Sequence, residues 1–114
     1  MKSGNEADQV YIVHMLECIE RVKTYTADGE SVFRQSQLVQ DAVIRNLQVM
    51  AESSQRLSES TKMIAADVPW RSISGFRNIM VHDYLGLDLD VIWSVVSQEL
   101  PFLEVALTKI KGFN

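Results

Sequence analysis

The constraint that most limits the fold of this chain is the spacing of its apolar residues. From Asp8 to Thr26, Ile12, Leu16, Ile19 and Val22 recur at intervals of three and four, with Tyr25 following, which marks one face of an α-helix. After Asp28-Gly29, Ser31 is positioned to cap a short segment carrying Val32 and Phe33. A second long helix is predicted from near Gln37 to about Glu59, with Val39, Val43, Leu47, Met50 and Leu57 on its apolar face. Pro69 opens a third helix, because proline is tolerated in the first turn; Ile73, Phe76 and Met80 form its stripe and Gly86 ends it. Asp88 or Asp90 caps a last helix that runs to the C-terminus. Its stripe is ambiguous at Val95 or Val96 and at Glu99 or Leu100, and Pro101 lies inside it, so a kink is expected there.

Sustained strand alternation, internal repeats and low-complexity tracts are absent from the sequence. Only seven of the 114 residues are glycine or proline (Gly 5, Pro 2), about half the usual share of ~12%, so the turns that punctuate β folds are scarce. The expectation is an all-α antiparallel four-helix bundle with short extra helices, formed as one domain over residues 1–114.

No apolar run exceeds four residues, as at Met63 to Ala66, so no membrane span or membrane partner is expected. Met1 to Gln9 is polar and has no secretory apolar stretch, and Cys18 is the single cysteine; both favour a cytoplasmic location, with Cys18 as core filler. Net charge is −4, from 11 basic and 15 acidic residues, so any nucleic-acid site has to be a local patch.

Two histidines occur, His14 and His82, and no group of His, Cys or paired carboxylates has metal-ligand spacing. No Gly-rich phosphate loop or nucleophile elbow is present, so neither a metal nor a cofactor is expected. His14, beside Val13 and Met15, reads as a partly buried structural imidazole. Chemistry concentrates instead in Trp70-Arg-Ser-Ile-Ser-Gly-Phe-Arg-Asn-Ile-Met-Val-His-Asp-Tyr84, which gathers Arg71, Arg77, Asn78, His82 and Tyr84. On an ideal helix Arg77 and Tyr84 lie within about 20° of one face, whereas His82 is about 140° and about 7.5 Å from Arg77. Convergence of that pair on one phosphate therefore needs the helix to end or distort near His82.

Arg77, His82 and Tyr84 reproduce an Arg-x4-His-x-Tyr motif. With its ordered flanks, Gln40-Asp-Ala-Val-Ile-Arg-Asn-Leu47, Gln55-Arg-Leu57, Val68-Pro-Trp-Arg71, Gly75-Phe-Arg-Asn78, Gly86, Asp88 and Leu100-Pro101, it resembles the HepT toxins of the HEPN superfamily. The resemblance runs roughly from Gln9 to Ile110. Two departures are Ala51-Glu-Ser53, where many relatives carry Gly-Glu-Ala, and Phe76, where methionine is common. The resemblance implies a helical homodimer and a metal-independent endoribonuclease, the toxin of a type VII-like toxin–antitoxin pair. It also implies an MntA-like minimal nucleotidyltransferase as antitoxin, with Tyr84 as the AMP acceptor.

The residue types suit that chemistry. RNA supplies its own nucleophile, the 2′-hydroxyl, so His82 as proton-transfer group and Arg77 as a fork of donors for the phosphate are sufficient in kind without a metal. Asn78 can orient either. Arg71 is an expected RNA contact, Trp70 and Trp93 could stack on bases or fill the core, and Asp41, Arg45 and Asn46 are candidate supports that could equally form a solvated helix face. Cleavage by this route needs a base for the 2′-oxygen and an acid for the 5′-oxygen, yet each motif supplies a single histidine, which favours two motifs facing each other in a dimer. A noncatalytic HEPN subunit presenting substrate or nucleotide to a nucleotidyltransferase is the alternative, and a purely structural dimerising bundle comes third.

Overall fold

A computed structural model describes residues 2–76 and 88–112, with side chains from Glu6 onward, and every regular element among them is helical. These elements are α1 (Lys2–Tyr25), α2 (Glu30–Gln35), α3 (Gln37–Gln55), α4 (Glu59–Ile64), α5 (Trp70–Ser74), α6 (Leu89–Ser94), a π-helical turn (Val95–Glu99) and α7 (Leu100–Gly112). The expected all-α class holds. Of the predicted third helix, only the part up to Phe76 falls within the described residues, so the fourth member of the expected bundle is not traced in full.

α1 is the centre of the packing. Ile12, Met15, Cys18, Ile19 and Val22 are fully buried against Val43, Leu47, Met50 and Ala51 of α3 and Leu103, Leu107 and Ile110 of α7. Met15 and Cys18 take the middle of the seam, whereas Leu16 is only partly buried. Burial pushes the Cys18 thiol above its ordinary pKa, which suits the inert filler expected of it. His14 departs from expectation: it is two residues from Ile12, about 200° around the helix, and is exposed.

Polar contacts fix the directions of the helices. Asp8, near the start of α1, reaches Ser58 just beyond the end of α3, so these two helices are antiparallel. Lys23, near the other end of α1, pairs with Glu104 in the first half of α7 at 2.9 Å, and Lys111 lies beside Val13 and Leu16, so α7 is also antiparallel to α1.

Several boundaries differ from those predicted. α1 begins at Lys2 rather than Asp8. α2 is entered from Gly29, whose φ of 97° is a left-handed conformation suited to glycine, and Ser31 is not the cap. The buried Gln40 amide closes the far end of α2, donating to the Phe33 and Arg34 carbonyls at 2.9 and 3.1 Å. Ser36 caps α3 by accepting from Val39 N–H at 3.1 Å.

α3 ends at Gln55, not near Glu59. Arg56 and Leu57 donate to carbonyls three residues back, which tightens the last turn, and Ser58 starts α4 as its N-cap. Asp8 explains the break, because its carboxylate accepts from the Ser58 N–H at 3.2 Å and from the Ser58 and Thr61 hydroxyls. Among the two capping candidates for α6, Asp88 does the work, accepting from Val91 N–H at 3.2 Å.

Pro101 produces a π turn. Leu100 N–H bonds to the Val95 carbonyl five residues back, immediately before the residue that has no N–H to donate. The turn resolves the ambiguous stripe: Val95 and Leu100 are buried, at a spacing of five that a regular α-helix would rotate off the face, while Glu99 is exposed. By length and composition alone, the helical run Leu89–Gly112 could cross a membrane. One face of it packs in the core, with Leu100, Leu103, Ala106, Leu107 and Ile110 buried, while 28% of its most apolar window is buried in all.

Two substitutions test these contacts. Burial opposes ionisation of Asp8, but hydrogen bonds from Ser58 and Thr61, with Lys62 nearby, outweigh it and hold the carboxyl below its ordinary pKa. The resulting stabilisation is complete above the unfolded value of about 3.9 and is lost as pH falls through the lower folded value. Asp8→Asn is expected to cost about 2 kcal/mol near neutrality, and denaturant titrations should show its deficit against wild type shrinking below about pH 4. Trp70→Phe removes the indole N–H that serves the Lys62 and Ala65 carbonyls at the end of α4, at 3.2 and 3.1 Å. It should cost about 1 kcal/mol and lower Tm by about 4 °C in a thermal melt.

Candidate functional site

Arg77, Asn78, His82 and Tyr84 lie outside the described residues. What the structure does place is the entry to their segment. α5 packs on the C-terminal end of α3, where Ala51, Ser53 and Ser54 are all buried and their small side chains allow the helices to approach; Ser54 Oγ lies 3.3 Å from Ser74 Oγ. The departure Ala51-Glu-Ser53 thus sits at a packing surface. Ile73 and Phe76 are buried as well, so the residue immediately before Arg77 is anchored in the core.

Two concavities flank this entry. One, of about 250 Å³, is lined by Ile73, Phe76, Leu100, Phe102 and Leu103, with Gln98 and Glu99 at its polar edge. No cation is among its described lining residues, which are mostly apolar. The other is a more open groove of about 400 Å³ between α4 and α5, lined by Glu59, Lys62, Met63, Trp70, Arg71 and Ser74. It brings two cations and an aromatic ring together.

Arg71, predicted as an RNA contact, is exposed on this groove and has no ion-pair partner among the described residues. Lys62 is 3.9 Å from Glu59, a loose pair on a largely solvent-exposed carboxylate. The Trp70 indole N–H is already engaged with α4 carbonyls, which leaves its ring as a π surface without a free donor. Trp93 instead packs in the core against Phe33, with ring centroids 5.3 Å apart.

The second-helix candidates divide. Asp41 and Arg45, about 40° apart on α3, are both exposed, and Asp41 accepts from the Gln37 amide at 2.9 Å. Asn46 turns inward and donates to the Ala42 carbonyl at 2.9 Å. No group of three or more His, Cys, Asp or Glu suited to a metal occurs among the described residues. Sequence reading missed Lys62 and Met63. They reach Trp70 only through the turn between α4 and α5, and periodicity carries no information about such a turn.

Comparison with known proteins covers nearly the same span. The model of the family described as "Ribonuclease HepT-like" matches residues 15–110. The mRNA nuclease HepT of Shewanella oneidensis is 30% identical over 125 aligned positions, covering 89% of this chain and 93% of that protein. A protein of Thermococcus cleftensis named "Probable ribonuclease HepT" is 28% identical, covering 89% and 93% respectively. A larger protein of Methanocaldococcus jannaschii, whose name carries both gamma-glutamylcyclotransferase and RNase, is 34% identical over 103 residues; they make up 90% of this chain and 46% of that protein, so the chain spans about half the length of this relative. No solved structure matches the chain. The match over 96 consecutive residues, spanning the α5 entry and the whole Arg-x4-His-x-Tyr segment, makes this chain a member of the HepT-like ribonuclease family.

Proposed function

We propose that the protein is a metal-independent endoribonuclease toxin acting on cellular RNA, either mRNA or tRNA. The observation that carries this reading is an intact Arg77/His82/Tyr84 motif within the family match. The name of the Shewanella relative, an mRNA nuclease, supports the substrate class.

In this mechanism the 2′-hydroxyl attacks the adjacent phosphorus. His82 of one chain removes its proton, and Arg77 donates to the non-bridging oxygens as charge develops on the phosphorane. His82 of a second copy protonates the departing 5′-oxygen, leaving a 2′,3′-cyclic phosphate. The site is therefore proposed to form between two chains, with Arg71 contributing RNA affinity and Asn78 orienting the histidine or the phosphate. Asp41, Arg45 and Asn46 are proposed to hold these groups in place. One domain acting in the cytoplasm completes the reading.

Neutralisation is proposed to come from an MntA-like nucleotidyltransferase that transfers AMP to the Tyr84 hydroxyl from ATP, releasing pyrophosphate. The added negative charge and bulk would repel RNA phosphate from the site.

Incubation with total RNA in excess chelator should give cleavage that falls about 10²–10⁴-fold in His82→Ala and comparably in Arg77→Ala, with folding unchanged by circular dichroism. Stable association with a nucleotidyltransferase and no cleavage by wild type would instead identify the noncatalytic subunit. A mixed dimer with one His82→Ala chain should be strongly impaired; full activity per dimer would rule out shared catalysis. Labelling with radioactive ATP and the cognate nucleotidyltransferase should disappear in Tyr84→Phe, and equal labelling would remove Tyr84 as the acceptor.

A further inference from the structure

We propose that the groove between α4 and α5 is a subsite for one nucleotide of single-stranded RNA, with the base against Trp70 and Met63 and a phosphate held by Arg71 and Lys62. This deepens the ribonuclease reading and rests on it for the identity of the ligand.

Four observations lead there. First, the groove's volume, about 400 Å³, falls in the range of small-ligand sites. Second, the indole is held in place: its N–H is spent on the Lys62 and Ala65 carbonyls, its ring is partly buried against the core, and the part left on the groove can stack or make apolar contact. Met63, 70% exposed on the same groove, adds a soft polarisable side chain suited to a flat base.

Third, the two cations are not neutralised as the chain's clasping cations are. Lys23 and Arg34 each hold two carboxylates, whereas Arg71 has no ion-pair partner among the described residues, and Lys62, its side chain 16% exposed, makes only the loose 3.9 Å pair with Glu59 and feels the Asp8 carboxylate nearby. With Glu59 counted, the groove still carries a formal charge of +1 on a chain of −4, from Lys62 and Arg71 less Glu59. An arginine fork beside a lysine point charge suits a phosphate. Fourth, α5 leads through the buried Phe76 directly to Arg77, so the groove stands six residues along the chain from the proposed catalytic arginine. A partner helix would need an apolar stripe to receive its anchors, and among the described lining residues Met63, Trp70 and the small Ala66 are interleaved with Glu59, Lys62 and Arg71.

The combination of one aromatic platform with flanking cations is the general means of holding single-stranded nucleic acid without reading its sequence. The subsite would therefore hold the strand next to the scissile bond with little base preference.

The test uses an uncleavable probe, a short 2′-O-methyl oligoribonucleotide, and a Trp93→Phe background in which Trp70 is the sole tryptophan. Titration is expected to quench Trp70 emission saturably. Arg71→Gln with Lys62→Gln should weaken binding at least about fivefold and lower the slope of log K against log salt by about 0.7 if the two share one phosphate. Measured by the anisotropy of a fluorescently labelled probe, Trp70→Phe, which keeps a ring, should weaken binding less than Trp70→Ala.

Unchanged affinity and salt slope in the double variant would overturn the subsite, as would binding that leaves Trp70 emission untouched. Loss of nucleotidyltransferase association in the double variant, with oligonucleotide binding intact, would overturn it in favour of protein docking. Cleavage assays separate the two readings: a cleaving wild type with an unaffected double variant sinks the subsite alone. Quenching with the predicted salt response, but no cleavage, sinks the ribonuclease reading and leaves the subsite standing.

Discussion

Everything described depends on the seam between α1 and α3. Ile12, Met15, Cys18, Ile19 and Val22 meet Val43, Leu47, Met50 and Ala51 in a close-packed interface, and α7 completes the core on the other side of α1. Each fully buried large apolar side chain contributes on the order of 2 kcal/mol, so this seam outweighs any single polar contact in the molecule. The polar contacts set direction and register instead. Asp8 at one end of α1 and Lys23 at the other hold their partners at fixed points, so the apolar faces can meet in only one alignment.

The groove is a by-product of how that alignment ends. Asp8 draws Ser58 toward α1, which stops α3 at Gln55 and starts a six-residue helix in a new direction. The Trp70 indole adds a second donor to the Lys62 and Ala65 carbonyls, which also accept from the Ala65 and Val68 N–H groups of the turn that ends α4. One buried carboxylate therefore fixes where α4 begins, through Ser58 and Thr61. Farther along, the π turn before Pro101 lets the last helix keep its apolar face despite the missing N–H, and Arg34, bound to Glu30 and Asp90, ties α2 to the start of that helix.

An acidic chain can bind RNA only where its positive charges are left unneutralised. Lys23 and Arg34 are committed to holding helices together, and each engages two carboxylates. Arg71 and Lys62 stand on a groove instead, beside an aromatic ring. Local arrangement, and not the net charge of −4, governs what this surface can attract.

By itself the sequence determined the helical class, the apolar faces of the long helices, a cap for the last helix at either Asp88 or Asp90, and the family, because periodicity, capping and an ordered motif are local properties of the chain. It also made Arg71 legible, since that residue lies inside the recognisable segment. The end of α3 at Gln55, the choice of Val95 with Leu100, and the meeting of Lys62, Met63 and Trp70 were decided by tertiary structure. Each depends on a partner remote in sequence or on a change of helix geometry: Asp8 lies 50 residues from Ser58, and a π turn shifts a stripe that a 3.6-residue period cannot follow.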